Sequence, residues 1–233
     1  MRWGTEMTRW LPCLALLAAC SGTLPVVTTA GTPQPEPGPV RSPEPSPTAT
    51  PTQAPTATPG AAASWLIFGD SITQNAFHDS LAWNAAWGAL APVVSGYGLR
   101  GADAAYALTQ EAEVLGYFPA ASGMGLAFGT NDVGHKRTPD AFKISLKSLY
   151  DRAVAAGKRP LVATIPYSTH ADYQAVPAFN QAIAELALPP GPDLYAWFVH
   201  HPEQISPDGI HPTDVGDTQV QRLWAEAAKG AGF

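Results

Sequence analysis

The distribution of apolar residues from Ser64 onward is the feature that most constrains the fold. Short apolar runs, beginning with Trp65-Leu66-Ile67-Phe68, alternate with longer amphipathic stretches. This alternation predicts β-strands that are each followed by an α-helix. The predicted strands are residues 65–68, 93–94, 125–128, 161–165 and 193–197. The predicted helices are residues 75–90, 102–115, 138–156, 176–188 and 213–229.

Strands that are apolar along their whole length are typical of a sheet that is buried on both faces. They predict a mostly parallel, five-stranded sheet with helices on both sides, a three-layer α/β/α sandwich. Thr138-Pro139 and Gly157 mark the predicted start and end of one of the helices. In such sheets ligands bind beyond the carboxyl ends of the strands. Functional side chains are therefore expected directly after the strands.

Residues 20–63 have a composition that cannot support a hydrophobic core. Eleven of the 24 prolines and nine threonines lie between Ser21 and Gly60, together with only three charged residues. We interpret residues 20–63 as a Pro/Thr-rich linker with polyproline II character. The remaining part, residues 64–233, is long enough for one domain with a single core.

Residues 1–19 have the features of an export signal. Two arginines precede an apolar run over residues 11–19 that is too short to span a bilayer. The run ends in Leu17-Ala18-Ala19-Cys20, which resembles the lipobox of bacterial lipoproteins, where the cysteine becomes the acylated first residue. We predict an exported protein, held at the cell envelope or cell surface by a lipid on Cys20. An ordinary signal peptide followed by a chance cysteine is the alternative.

The charge balance bears on the possible partners. The chain has 13 Lys and Arg against 19 Asp and Glu, a formal net charge of −6. Its basic residues form no cluster longer than a pair, such as Lys136-Arg137. Nucleic acid is therefore not expected as a partner.

Ser71 lies where the first predicted strand, ending in Phe68-Gly69-Asp70, turns into the first helix. Free N–H groups and the helix dipole favour negative charge at such a position. Ser71 is therefore a candidate nucleophile, with helix capping as the alternative. Asp70 is interpreted as a structural turn residue.

The segment Ser206-Pro207-Asp208-Gly209-Ile210-His211 follows the fifth predicted strand. It carries a carboxylate and an imidazole three residues apart. Histidine is a suitable general base for a hydroxyl, and a carboxylate on its other nitrogen fixes the tautomer. Two solvent-exposed loop side chains are the alternative.

Two further segments follow predicted strands at the same edge of the sheet. Gly129-Thr130-Asn131-Asp132 provides the Asn131 amide, which can donate a hydrogen bond to a developing oxyanion. Gly96-Tyr97-Gly98-Leu99-Arg100-Gly101 provides glycines whose backbone can approach a substrate closely. Each of these segments, taken alone, is also compatible with an ordinary turn.

Together, the four segments resemble the marks of the GDSL-type (SGNH) hydrolases, in the order found in that family, over residues 65–224. The matches are Gly69-Asp70-Ser71-Ile72, Gly101, Gly129-Thr130-Asn131-Asp132 and Asp208-Gly209-Ile210-His211. The resemblance implies a flavodoxin-like fold and a serine esterase in which His211, oriented by Asp208, takes the proton of Ser71. It also implies an oxyanion hole made by the Ser71 N–H, the Gly101 N–H and the Asn131 side chain. Ser95 stands where many members carry Asn, so Gly98 is the alternative to Gly101.

The rim loops between the predicted elements are short, which favours an open site for short-chain esters, chiefly acetyl esters on carbohydrate. The side chains expected to line this site are Tyr97, Tyr167, Tyr173, His200 and His201, with solvated loop side chains as the alternative for the two histidines. The alternatives are a lysophospholipase or thioesterase with a long acyl groove, and a non-catalytic binding module. No histidine spacing is typical of zinc, so no metal or other cofactor is expected. We expect a monomer that acts on a small-molecule or glycan ester.

Overall fold

The computed structural model describes residues 64–77 and 93–232, which contain four strands and seven α-helices. The strands are β1 (Ser64–Gly69), β2 (Val93–Gly98), β3 (Gly123–Ala127) and β4 (Arg159–Val162). All of them are parallel, and the order in the sheet is β2-β1-β3-β4. The helices are α1 (Ser71–Ala76), α2 (Ala104–Tyr117), α3 (Thr130–Gly134), α4 (Pro139–Ala155), α5 (Val176–Glu185), α6 (Leu194–His200) and α7 (Asp214–Gly230).

The central strand β1 separates two hydrophobic cores. Leu66 and Phe68 pack in one core with residues of α2, α4 and α5. Trp65 and Ile67 pack in the other core with residues of α6 and α7, including Trp224. Successive side chains of a strand point to opposite faces, so both faces of the sheet are covered. The predicted three-layer α/β/α architecture is confirmed.

Both ends of α4 lie where the local sequence signals predict them. The Thr138 side chain accepts a hydrogen bond from the Ala141 N–H at 3.2 Å, and Pro139 is the first residue of α4. Gly157, just after this helix, has a φ of +77°, a value that glycine adopts without strain. The boundaries of α4 are therefore set mainly by its own sequence.

The predicted fifth strand, residues 193–197, is wrong, because this segment forms α6. Asp193 caps that helix by accepting a hydrogen bond from the Ala196 N–H at 3.0 Å. The preceding residues lie along the β4 edge, where the Gly191 N–H donates to the Val162 carbonyl at 2.7 Å. Three prolines within residues 189–192 lack the N–H groups that a longer strand needs. Only an isolated bridge between Val162 and Pro190 forms before the chain turns into α6.

Other sequence-based expectations differ or lie outside the described ranges. The loop expected at Thr130 is the short helix α3. Of the predicted helix over residues 75–90, the structure shows the first two residues at the end of α1, which ends at Ala76. The predicted signal, the linker and the lipidation residue Cys20 lie outside the described residues. Within residues 64–77 and 93–232, no helix is long and apolar enough to cross a membrane.

Glu111 in α2 is fully buried, and neither of its carboxylate oxygens has a hydrogen-bond partner within residues 64–77 and 93–232. Burial raises its pKa from 4.5 to about 7, although the charge of Arg152 acts in the opposite direction. The folded protein therefore keeps this proton at pH values where the unfolded chain loses it. The contribution of Glu111 to stability consequently falls as the pH rises from about 4.5 to about 7.

We expect Glu111→Gln to raise the free energy of unfolding by about 1–2 kcal/mol at pH 8, because the uncharged amide avoids burying a charge. The gain should disappear at pH 4, where the carboxyl of the native residue is also neutral. Urea denaturation of both proteins at the two pH values measures this difference. A gain of equal size at both pH values would attribute the effect to packing instead of charge.

Candidate active site

Ser71 is the first residue of α1 and follows directly on β1. The carboxylate of the preceding residue, Asp70, accepts a hydrogen bond from the Ile72 N–H at 2.9 Å and caps the helix. Gly69 has no room for a side chain, because a Cβ atom would lie 2.7 Å from the Ala127 carbonyl oxygen. The turn is therefore tight, and only 6% of Ser71 is exposed.

Ser71, His211 and Asp208 form a continuous chain of hydrogen bonds. The Ser71 Oγ lies 2.9 Å from His211 Nε2, although the two residues are 140 positions apart. The His211 Nδ1 lies 2.7 Å from Asp208 Oδ2. When Nδ1 donates to the carboxylate, Nε2 is free to accept from the serine hydroxyl. This geometry allows a histidine to remove a hydroxyl proton.

The Asp208 carboxylate is held by several donors besides the imidazole. Its Oδ1 accepts hydrogen bonds from the Ser206 hydroxyl (2.8 Å), the Ile210 N–H (2.8 Å) and the His211 N–H (2.9 Å). Partial burial acts to raise the pKa of Asp208, but these hydrogen bonds outweigh it and hold the pKa well below its usual value. Asp208 is therefore a carboxylate throughout the neutral pH range and can stabilise a protonated His211.

The loop that carries His211 is attached to the segment after β4 through one carbonyl group. The Gly209 carbonyl accepts hydrogen bonds from the Ser168 hydroxyl, the Thr169 N–H (3.0 Å) and the His170 N–H (3.3 Å). Gly209 has a φ of +74°, and a Cβ atom there would lie 2.8 Å from the His170 nitrogen. Glycine is required at this position, and the three donors fix the loop relative to the sheet.

Gly101 follows β2 and Asn131 follows β3, the two neighbours of β1 in the sheet, and the two segments are connected through Ala102. The Asn131 Nδ2 donates to the Ala102 carbonyl at 3.0 Å, which orients the amide and leaves its second N–H available. Gly101 has a φ of +75°, with open space where a side chain would be. Among the described residues, neither the Ser71 N–H nor the Gly101 N–H has a hydrogen-bond acceptor.

The alternative glycine, Gly98, has a different environment. A Cβ atom at Gly98 would lie 2.3 Å from the Gln74 nitrogen, so this glycine allows β2 to pack closely against α1. Its position is explained by packing. Gly101 is the more accessible of the two glycines.

Two buried carboxyl groups lie next to the candidate site residues. Asp132 accepts a hydrogen bond from the Ala104 N–H at 2.9 Å. Burial raises the pKa of Asp70 to about 7 and that of Asp132 to about 6, against the lowering effect of their hydrogen bonds. Near neutral pH Asp70 is therefore partly protonated, whereas Asp132 is mostly ionised.

The structure brings most of the sequence-predicted site residues together. His211 contacts both Ser71 and Asp208, and Asn131 is hydrogen-bonded to the residue that follows Gly101. Sequence reasoning missed Ser168, whose partner Gly209 is 41 positions away and carries no local signal. It also missed Ser206, two positions before Asp208, which the short spacing of the two polar residues could have suggested.

Two histidines expected to line the site have other positions. The His201 ring stacks on Trp197 with ring centroids 3.9 Å apart, and His200 lines the same separate cavity. The expectation is therefore wrong for these two side chains. Tyr97 packs against Phe118, with centroids 6.1 Å apart, and its place at the site stays a prediction. In the part of the chain that the structure describes, no group of three or more His, Cys, Asp or Glu could hold a metal ion.

Comparisons with known proteins bear on the family and the fold of the chain. The sequence profile of the GDSL-like lipase/acylhydrolase family matches residues 67–218. None of the curated proteins matches this chain.

Among solved structures, a GDSL-like lipase from Bacteroides thetaiotaomicron is 17% identical, with a TM-score of 0.61 over 73% of this chain and 89% of that chain. The acetylxylan esterase Axe2 from Geobacillus stearothermophilus is also 17% identical, with a TM-score of 0.61 over 72% of this chain and 95% of that chain. The esterase EstA from a Pseudoalteromonas species, in a structure inhibited by monoethylphosphonate, is 14% identical, with a TM-score of 0.56 over 72% and 97%. These similarities establish a shared fold.

Proposed function

The chain belongs to the GDSL-like lipase/acylhydrolase family and is an ester hydrolase, and from that premise we propose that Ser71 is its nucleophile, His211 its general base and Asp208 the residue that orients His211. One observation carries this proposal. It is the unbroken chain of hydrogen bonds from Ser71 Oγ through the His211 ring to Asp208 Oδ2.

The reaction proceeds in two half-reactions. Ser71 Oγ attacks the acyl carbon while its proton passes to His211 Nε2, which gives a tetrahedral intermediate with a negatively charged oxygen. Collapse of the intermediate breaks the bond to the alcohol, which leaves with the proton from His211. A water molecule then gives a proton to His211 and attacks the acyl-serine. The second collapse releases the carboxylic acid and returns the proton to Ser71.

The oxyanion is stabilised by three donors that are in place before the reaction. They are the backbone N–H groups of Ser71 and Gly101 and the second N–H of the Asn131 side chain. The first two have no acceptor among the described residues, and the Asn131 amide is oriented by the Ala102 carbonyl. Donors that need no rearrangement at the moment of reaction stabilise the transition state most effectively.

Asn131→Ala is expected to lower kcat by about 10²- to 10³-fold with little change in KM, because the lost donor acts mainly in the transition state. Steady-state kinetics on a soluble acetyl ester measure both constants. Asn180→Ala is the matched control, since the Asn180 amide also bonds to backbone, at Ile165, and its loss should reduce stability while kcat is kept. A change confined to KM would make Asn131 a substrate-binding residue.

The substrates that we propose are esters of short acids, chiefly acetyl esters on carbohydrate. An apolar cavity of about 720 Å³ is lined by Arg159, Pro160 and Leu161 at the start of β4, away from the carboxyl ends of the strands. Neither this cavity nor a second one of about 620 Å³ is lined by Ser71 or His211 within the described residues. A long acyl chain needs a deep apolar cleft next to the nucleophile. The structural similarity to Axe2, an acetylxylan esterase, is consistent with a carbohydrate acetyl ester.

A series of p-nitrophenyl esters from acetyl to decanoyl, together with acetylated glycans, tests this proposal on the purified protein. We expect kcat/KM to be highest for acetyl and to fall with chain length, and acetate to be released from the glycans. A steady rise toward decanoyl would favour a lysophospholipase or thioesterase. A protein that hydrolyses none of these esters and reacts with no fluorophosphonate probe would instead be a binding module.

We also propose that the protein is exported and held in the membrane by a lipid on Cys20, because Leu17-Ala18-Ala19-Cys20 follows a short apolar run. Cys20→Ser should release the full-length protein from the membrane fraction and abolish incorporation of a palmitate analogue. The esterase activity of the released protein should be unchanged. Persistent labelling of the variant would contradict the lipid anchor.

A further inference from the structure

A second cavity lies next to the proposed oxyanion hole and is not used in the mechanism above. Its volume is about 620 Å³. The side chains that shape it are those of Arg100, Tyr106, His135 and Arg137, and we call it the basic pocket. Asp103 forms its floor.

The basic pocket shares residues with the proposed oxyanion hole. Gly101 and Ala102 line it, and these residues provide the proposed oxyanion N–H and the carbonyl that orients Asn131. On the other side, Arg100 Nη2 donates to Asn75 Oδ1 at 3.1 Å. Asn75 lies one helical turn after Ser71 in α1, so the guanidinium is held close to the N-terminal turn that carries the nucleophile.

The charges of this pocket do not balance. Of the described residues that line it, Asp103 is the one carboxylate. Asp103 Oδ2 accepts hydrogen bonds from Arg137 Nε (3.0 Å) and Nη2 (2.8 Å), and it also contacts His135 Nδ1 at 3.2 Å. Arg100 has a neutral amide as its hydrogen-bond acceptor and no acidic partner among the described residues. The pocket is therefore positive in a protein whose formal net charge is −6.

Several donors of the pocket remain available to a ligand. They are Arg100 Nε and Nη1 and Arg137 Nη1, which have no hydrogen-bond partner among the described residues. Guanidinium groups favour carboxylates and phosphates over other ligands, because their paired N–H groups match two oxygens. Tyr106 is 54% exposed and offers an aromatic face beside these donors.

We propose that the basic pocket binds an anionic group carried by the alcohol part of the ester, so that the substrate is an acetylated acidic sugar. This inference rests on the proposed function. An acetyl group is too small to extend beyond the oxyanion hole, so a group that reaches the pocket belongs to the alcohol. Arg100 supplies the unpaired positive charge, and Tyr106 packs against the sugar ring.

The test compares two acetylated methyl glycosides, one of glucuronic acid and one of glucose, which differ only in the C6 carboxylate. We expect the wild-type protein to hydrolyse the glucuronoside with a kcat/KM about tenfold higher at low ionic strength, mainly through a lower KM. Acetylated glucose 6-phosphate shows whether the pocket prefers phosphate to carboxylate. Acetate release measures all three reactions.

Arg100→Gln should lower kcat/KM for the glucuronoside several-fold more than for the glucoside and so remove most of the preference, whereas Arg100→Lys should restore part of it. The matched control is Arg222→Gln, which removes the same charge from α7, where Arg222 contacts Glu226 at 2.8 Å. This control should keep the full preference.

The outcomes separate this inference from the proposed function. If the wild-type protein hydrolyses the glucoside and phenyl acetate but shows no preference for either acidic sugar, the inference is wrong and the proposed function stands. An equal loss of the preference in Arg100→Gln and Arg222→Gln would attribute it to overall charge and would also overturn the inference. If no ester is hydrolysed, both proposals fail.

Discussion

Replacing Ser71 with alanine is expected to lower kcat on a soluble acetyl ester by about 10⁵-fold or more, because no other group can form the acyl-enzyme. KM should change little, since the hydroxyl contributes little to binding of the ground state. The fold should be retained. Within the described part of the chain Ser71 Oγ makes one hydrogen bond, to His211 Nε2 at 2.9 Å, and such a bond contributes about 1 kcal/mol to stability.

Active-site titration, labelling with a fluorophosphonate and thermal denaturation together check this prediction. The wild-type protein should be labelled, and Ser71→Ala should not. Ser145→Ala is a matched control, because Ser145 lies in α4 and its hydroxyl bonds to the Ala141 carbonyl of the same helix. Retention of wild-type turnover by Ser71→Ala would remove the central assignment.

Asp208→Asn is expected to lower kcat by about 10⁴-fold, through the tautomer of His211. Oδ1 of the native residue faces three donors: the Ser206 hydroxyl and the N–H groups of Ile210 and His211. The amide of the variant must keep its oxygen there, which places its NH₂ group against His211 Nδ1. The imidazole then accepts at Nδ1 and carries its hydrogen on Nε2. In that tautomer it cannot accept the proton of Ser71.

Kinetics of Asp208→Asn over a range of pH, with the crystal structure of the variant, check this argument. Ser206→Ala is the control, because it removes one of the three donors to Oδ1 and leaves the His211 tautomer unchanged. We expect it to lower kcat by less than about tenfold, in keeping with the loss of one hydrogen bond. Equal losses in the two variants would show that Asp208 acts only by fixing the loop.

Much of the fold could be predicted from local signals. The apolar runs predicted the positions of β1, β3 and β4, and Thr138 and Gly157 predicted the two ends of α4. Both kinds of signal work because strand burial and helix capping depend on residues that are close in the sequence. The apolar segment at residues 193–197 is compatible with either a strand or a helix. The β4 edge decided between them. The prolines of residues 189–192 cannot extend the hydrogen bonding of the sheet beyond a single bridge, so the segment that follows forms a helix.

The sequence by itself determined which chemical groups reach the carboxyl edge of the sheet. Ser71 and Asn131 follow β1 and β3, and parallel strands present their carboxyl ends at one edge whatever the details of packing. The tertiary structure alone decided how these groups meet. The contact between Ser71 and His211, the attachment of Gly209 to Ser168 and the closeness of Arg100 to α1 join segments that are distant in the chain. Such distances result from the packing of whole helices on the sheet, and no local pattern of residues encodes them.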